Sequence, residues 1–186
     1  WYAPAQRTQA PSKNHFQGVA VLTDYRTILI DPPWYERGAG KIKRGADNHY
    51  PIMKTPEILR TILTCPYWQI DRNAHLYLWA TNNFLQDGLK LMEALGFRYI
   101  TNIAWVKDSI GLGQYFRGQH ELCLFGVKGT LRTQTKNTPT VITESKRGHS
   151  QKPVKMYRLI ENQSPPPRLE LFARESRHGW TSWGNE

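Results

Sequence analysis

Short apolar runs alternate with segments of helical periodicity along most of this chain, and that alternation limits the fold more than any other feature. Runs near 27–30, 75–80, 99–106, 121–127 and 168–173 have the length and the β-branched or aromatic content of strands, and stretches near 55–64, 83–95 and 153–162 carry helical patterns. Thr55-Pro56-Glu57 gives the first helix a capping residue, a proline in the first turn and an early acid, and Gly96 stops the second. The third starts at Pro153 and ends before Ser164-Pro165-Pro166-Pro167. Strands that alternate with helices predict an α/β fold, a layered sheet whose ligand sites lie beyond the carboxyl ends of the strands.

The 186 residues, 39% of them hydrophobic, are enough for one domain with a full core, expected over 18–186. Residues 1–17 are polar, hold Pro4 and Pro11 and lack periodicity, which reads as an N-terminal arm. A first residue of Trp1 instead of Met suggests a trimmed chain. No run reaches the length of a membrane span and no signal segment opens the chain, so a soluble, non-secreted protein without a membrane partner is expected. Cys65 and Cys123 sit inside apolar stretches without metal-type spacing and read as buried free thiols, with no metal site.

The formal charge of +10 points to a polyanionic partner. Much of it lies in two stretches that read as basic loops: 35–49, with Arg37, Lys41, Lys43 and Arg44, and 128–152, with Lys128, Arg132, Lys136, Lys146, Arg147 and Lys152. A charge run by itself is usually a solvated face. Two such loops beside an acid at a strand end favour contact with phosphates.

That acid opens Asp31-Pro32-Pro33-Trp34. A proline fixes its own φ, lacks an N–H and pushes the preceding residue into an extended conformation. Two prolines therefore hold Asp31 and Pro32 extended, so that the Asp31 carboxylate and the Pro32 carbonyl offer fixed acceptors to a group with two N–H donors. An exocyclic base amine is such a group, with Trp34 or Tyr35 placed to stack on its ring. The alternative is a strand that ends in a Pro-Pro turn with a core tryptophan. Acceptors on both amine hydrogens favour a pyramidal nitrogen whose lone pair points at an incoming electrophile, so catalysis would rest on positioning and electrostatics.

These residues belong to a longer collinear series: D-P-P-W at 31–34, Y-P-x-M at 50–53, L-Y-L-W-A-T-N at 76–82, W-V-K at 105–107, G-x-G-x-Y-x-R-x-x-H-E at 111–121, S-x-K-P at 150–153, S-P-P-P-R-L-E-L-F-A-R from 164, and a terminal W-G-N-E. Over residues 28–186 the chain resembles the MT-A70 family of S-adenosylmethionine-dependent N6-adenine methyltransferases. The resemblance implies a Rossmann-like methyltransferase sheet with helices on both faces and a permuted motif order, the catalytic tetrad preceding the cofactor-binding strand. It implies that Asp31, Pro32, Pro33 and Trp34 form the catalytic pocket, with Tyr50 near a flipped base. It also implies that Lys152 contacts S-adenosylmethionine, that Asp31 borders it, and that Arg174, Asn185 and Glu186 hold the cofactor's ribose and adenine. Arg177 or His178 could share the role of Arg174, with Ser176 closer to the family's spacing than His178, and the alternative for Arg174 is a surface ion pair.

Other residues carry less. Tyr35, Lys41, Lys43, Arg44 and Lys107 are candidates to touch the substrate, although a strand-end lysine such as Lys107 is as readily solvated. His120-Glu121 lacks companions at ligand spacing and reads as a structural hydrogen bond. The tryptophans at 68, 79, 105, 180 and 183 read mostly as core. The resulting expectation is N6 methylation of adenine in DNA. The alternatives are RNA adenosine and a non-catalytic nucleic-acid-binding subunit, since the family resembled includes paired subunits and a homo- or heterodimer is compatible with the sequence. The setting would be cytoplasmic for a prokaryotic or phage protein and nuclear for a eukaryotic one.

Overall fold

In the computed structural model residues 23–34, 53–111, 115–146 and 151–184 are described, so the predicted arm at 1–17 and the basic loop at 35–49 lie outside the described residues. The chain runs β1 (Tyr25–Ile30), α1 (Thr55–Leu63), β2 (Ile70–Ala80), a 3-10 turn (Asn82–Phe84), α2 (Leu85–Ala94), β3 (Arg98–Val106), β4 (His120–Lys128), β5 (Val141–Thr143), α3 (Val154–Gln163), β6 (Arg168–Ala173) and β7 (Thr181–Gly184). All seven strands form one sheet in the order β5-β3-β4-β2-β1-β6-β7. β4 runs antiparallel to both its neighbours and the remaining pairs are parallel.

Helices cover both faces, as predicted, and strand periodicity explains why. Ile28 and Ile30 of β1 join Leu76 and Leu78 of β2 in a core under α1 and α2, where Ile58, Ile62, Leu91 and Met92 are buried. The alternate residues Leu29, Tyr77 and Trp79 face the other way, onto Met156, Tyr157 and Ile160 of α3. A strand buried on both faces needs an unbroken apolar run, which is what residues 28–30 supply.

Element ends follow local chemistry, with corrections. The N-cap of α1 is Lys54, one residue before the predicted Thr55; Glu57 reaches back to accept the Lys54 N–H at 2.9 Å, while the Thr55 hydroxyl donates to Asp87 at 3.1 Å. Gly96, at φ 80°, ends α2 as predicted. α3 begins at Val154, with Pro153 as its N-cap. The stretch 128–152 is not loop throughout, because it contains β5 alongside β3. β2 begins at Ile70, earlier than predicted, and β7 adds an unpredicted edge strand. Both cysteines are buried free thiols, and burial pushes their pKa values up. No helix among the described residues is long and apolar enough to cross a membrane.

Winding direction fixes where a site can form. β1 is followed through α1 by β2 on one side and is joined on its other side by β6, which arrives from α3 across the opposite face. The carboxyl ends of β1 and β6 therefore flank a switch point, where open α/β sheets bind ligands. Asp31 immediately follows β1 and Arg174 immediately follows β6.

Candidate active site

Strand alternation points Asp31 to the same face as Leu29, the α3 face. Lys152, just ahead of α3, meets it there, with Nζ 2.7 Å from Oδ1 and 2.8 Å from Oδ2. Arg174 Nη2 lies 3.8 Å from Asp31 Oδ2. Lys152 Nζ is also 3.6 Å from Glu121 Oε2, and Lys107 donates to Oε1 of the same carboxylate. The result is an alternating row across the sheet edge: Lys107, Glu121, Lys152, Asp31, Arg174.

The row rests on an aromatic floor. Trp79 and Trp105, each 2% exposed, meet edge to face at 6.1 Å. Lys152 Nζ sits 5.2 Å from the Trp79 ring centroid and Lys107 Nζ 4.8 Å from that of Trp105, within cation–π range. Burial works against the charge on Lys152, but Asp31 and Glu121 outweigh it and raise its pKa. For Glu121, burial raises the pKa, while Lys152 and Lys107 together pull it below the usual carboxylate range. Both groups stay ionised at neutral pH, and three cations against two anions leave the row one positive charge in excess.

Three further hydrogen bonds hold the segments that flank Lys152 in place. The Glu144 carboxylate accepts the backbone N–H groups of Val154 and Lys155, each at 2.9 Å, at the exposed start of α3. The Trp105 indole donates to the Glu144 carbonyl at 2.8 Å, which ties the segment after β5 to β3. Pro153, rigid at φ −66°, is the single residue between Lys152 and the clamped Val154.

The tetrad serves this site differently from the sequence expectation. Trp34 is only 6% exposed, stacks on Phe84 at 5.4 Å and donates its indole N–H to the Trp79 carbonyl at 3.0 Å, so it braces the pocket from inside instead of stacking on a base. The Pro32 carbonyl accepts the Trp34 N–H at 2.9 Å, which fixes its direction and occupies one lone pair. Pro33 accepts the Met53 N–H at 2.8 Å, so the chain leaves the site at Trp34 and returns bonded to its own starting point.

Of the other predicted residues, the structure brings Lys107, Lys152 and Arg174 to Asp31's edge. Ser176 is exposed. Arg177 makes contacts outside the row: its guanidinium lies 3.7 Å from the Tyr157 ring centroid and contacts Glu175 at 3.4 Å. Tyr157 in turn donates to the buried Glu170, whose pKa burial raises. Tyr35, Lys41, Lys43, Arg44, Tyr50, Asn185 and Glu186 lie outside the described residues.

Glu121 is the residue that sequence reasoning undervalued. Because β4 is antiparallel, its start, not its end, reaches the carboxyl edge, and its register sets Glu121 opposite Trp105 and His120 opposite Val106. A glycine-rich stretch between W-V-K and H-E is a hairpin signal that would have placed Lys107 and Glu121 together.

The end of β6 is shaped for its task. Its pairing with β7 shifts register between Leu171 and Ala173, and Phe172 adopts φ 59° there. Such a bulge re-aims the chain, here immediately before Arg174. β7 passes so close that a Cβ on Gly184 would lie 2.5 Å from the Ala173 N and O atoms, so only glycine fits.

A carboxylate between two cations at a switch point fits the ammonium and carboxylate of an amino-acid ligand. Thr81 Oγ1, just past β2 and buried without a partner among the described residues, adds a polar atom near that edge. The MT-A70 family model matches residues 25–186, which takes in every element of the sheet and the whole row. The chain belongs to the MT-A70 family.

Curated relatives of this MT-A70 chain agree. A probable N(6)-adenosine-methyltransferase MT-A70-like protein of Oryza sativa subsp. japonica is 32% identical over 181 residues, covering 89% of this chain and 23% of the relative. The type II methyltransferase M.MunI of Mycoplasma sp is 30% identical over 184 residues, 87% of this chain and 77% of the relative. The human N(6)-adenosine-methyltransferase catalytic subunit METTL3 is 28% identical over 184 residues, 90% of this chain and 29% of that protein. The chain thus spans about a quarter of the plant relatives and most of the Mycoplasma one.

Proposed function

We propose that the chain transfers a methyl group from S-adenosylmethionine to the exocyclic N6 amine of adenine in a nucleic acid. The observation that carries this reading is the Asp31 carboxylate, fixed by two prolines and a lysine–arginine pair at the β1/β6 switch point of an MT-A70 chain. When bound, S-adenosylmethionine would supply an electrophilic methyl group, whose bond to the sulfonium sulfur would break as nitrogen attacks, the electron pair leaving with the neutral thioether. Asp31, Lys152 and Arg174 have the charges to hold its amino-acid portion, and Asn185 and Glu186, which the family resemblance implicates, are assigned to its ribose and adenine.

Asp31 and the free lone pair of the Pro32 carbonyl accept the two amine hydrogens and draw the nitrogen lone pair out of conjugation. Positive charge then develops on nitrogen as its bond to carbon forms, and acceptors aimed at that nitrogen stabilise it. The amine proton becomes acidic only late, so an ordinary carboxylate or a water behind it suffices as acceptor. A base inside a duplex does not reach a strand-edge pocket, so the adenine must be extruded or already unpaired. Tyr50, Lys41, Lys43 and Arg44 are assigned to that base and the adjoining phosphates.

DNA is the substrate we assign first, because the type II methyltransferase is covered over 77% of its length, whereas the adenosine-named proteins above are covered by about a quarter. Their names favour RNA adenosine as the second reading. Labelled methyl transfer to matched duplex DNA, single-stranded DNA and RNA, with the product nucleoside identified, separates them. N6-methyl-deoxyadenosine supports the first reading and N6-methyladenosine in RNA the second. A S-adenosylmethionine-induced rise in melting temperature without transfer to any polymer points to a missing partner subunit, and no transfer and no rise point to a non-catalytic subunit.

A further inference from the structure

We propose that the tip of the hairpin joining β3 to β4, Tyr115 and Phe116 beside Arg117, is a stacking platform for an unpaired nucleobase flanking the base held at Asp31. The inference rests on the nucleic-acid reading above and extends it from the reacting base to its neighbour. The hairpin springs from the charged row itself. Lys107 and Glu121 pair at its foot, and Lys107 N–H donates to the Gln119 carbonyl at 2.9 Å and Gly111 N–H to the Gly118 carbonyl at 2.7 Å. Tyr115, Phe116 and Arg117 therefore lie on a braced stem that springs from the Lys107 end of the row.

What the stem presents is unusual for a surface. Tyr115 is fully exposed and Phe116 is 87% exposed, and among the described residues neither ring packs on another ring. Tyr115 holds φ 58°, a left-handed conformation that non-glycine residues rarely adopt and that recurs at ligand sites. Two bare aromatic rings cost hydration free energy and add nothing to the core. Arg117 is exposed too, and among the described residues it donates its Nε–H to the Gly111 carbonyl, at 2.9 Å, with the Nη groups as further donors for a phosphate.

Aromatic faces beside a guanidinium are the combination that binds unpaired bases, because every base has a π face and every nucleotide a phosphate. Extruding one base from its stack also leaves its neighbours with an uncovered face, which a ring next to the pocket can cover. The chain's +10 charge favours this partner over a protein, although a second copy of the chain is a distinct outcome of the test.

The probe is a single-stranded DNA oligonucleotide with one adenine followed by 2-aminopurine, whose emission falls when its ring stacks. Wild-type protein should bind it and quench the emission. Tyr115→Ala/Phe116→Ala should lose that quenching and bind about ten-fold or more weakly, while the S-adenosylmethionine-induced thermal shift stays at the wild-type value and Tyr115→Phe/Phe116→Trp binds as wild type. Unchanged affinity and quenching in the alanine variant would overturn the proposal but leave the methyltransferase reading intact. Dissociation of a wild-type oligomer in that variant, with oligonucleotide affinity unchanged, would assign the tip to a protein interface. Wild-type protein that responds to S-adenosylmethionine but binds no oligonucleotide would overturn the stacking proposal and leave the methyltransferase reading to the missing-partner outcome above.

Discussion

Lys152→Met, a side chain of similar length, removes a cation that touches both carboxylates of the row, 2.7 Å from Asp31 and 3.6 Å from Glu121. Breaking a buried ion pair costs about 3–5 kcal/mol when the surviving charge is stranded. Here the Asp31 and Glu121 side chains keep 17% and 23% exposure, and Arg174 and Lys107 remain beside them, so the expected cost is about 2–3 kcal/mol. At roughly 2–4 °C per kcal/mol for a chain of this size, the melting temperature should fall by about 4–12 °C at pH 7. The pH dependence has a definite sign. Glu121 titrates below its ordinary 4.5 in the folded protein, so the stability it contributes is present above that value and is lost as pH falls through the folded value. Calorimetry of both proteins at pH 7 and near pH 3 should show the gap between them closing in acid. A loss under about 2 °C at pH 7, or an equal loss at both pH values, would refute the electrostatic account of the row.

Three other perturbations test its supports. His75 is fully buried and Nε2 must donate to the Leu131 carbonyl at 3.1 Å, so Nδ1 accepts from Ser164 at 2.7 Å and Tyr77 donates to the same hydroxyl at 2.8 Å. Burial lowers the His75 pKa, so stability should fall with pH from about 6.5 towards the folded value, by up to roughly 1.4 kcal/mol per pH unit, and denaturant titrations of His75→Gln should lack that slope. Trp34→Phe leaves the buried Trp79 carbonyl without its donor and should cost about 1–3 kcal/mol in urea unfolding, whereas an unchanged midpoint would show that the indole does not brace the pocket. Glu144→Ala frees the first N–H groups of α3 and should cost about 1–2 kcal/mol and raise the KM for S-adenosylmethionine; loss of stability with KM unchanged would make the cap purely structural.

How much of this was legible depended on whether the signal was local. The apolar run at 28–30, the three helices and the stop at Gly96 are written in neighbouring residues, and the sequence order of D-P-P-W before the strand that delivers Arg174 placed both at one edge. β5 and β7, three and four residues long, owe their existence to pairing with β3 and β6, far away in sequence, and carry no periodicity of their own. The direction of β4 was hidden for the same reason, and with it the place of Glu121. Trp34 misled because an aromatic beside a catalytic acid reads equally as a stacking surface or as packing, and only the Phe84 ring and the Trp79 carbonyl decide between them.

The most direct test of the central claim is the rate of labelled methyl transfer to adenine by Asp31→Asn beside the wild type, at saturating S-adenosylmethionine. The amide keeps the shape of the carboxylate but loses its charge and replaces one acceptor with a donor. The account predicts a fall of about a hundred-fold or more with the product still N6-methyladenine. Transfer within about two-fold of wild type would show that the chemistry takes place away from the β1/β6 edge and would contradict the account.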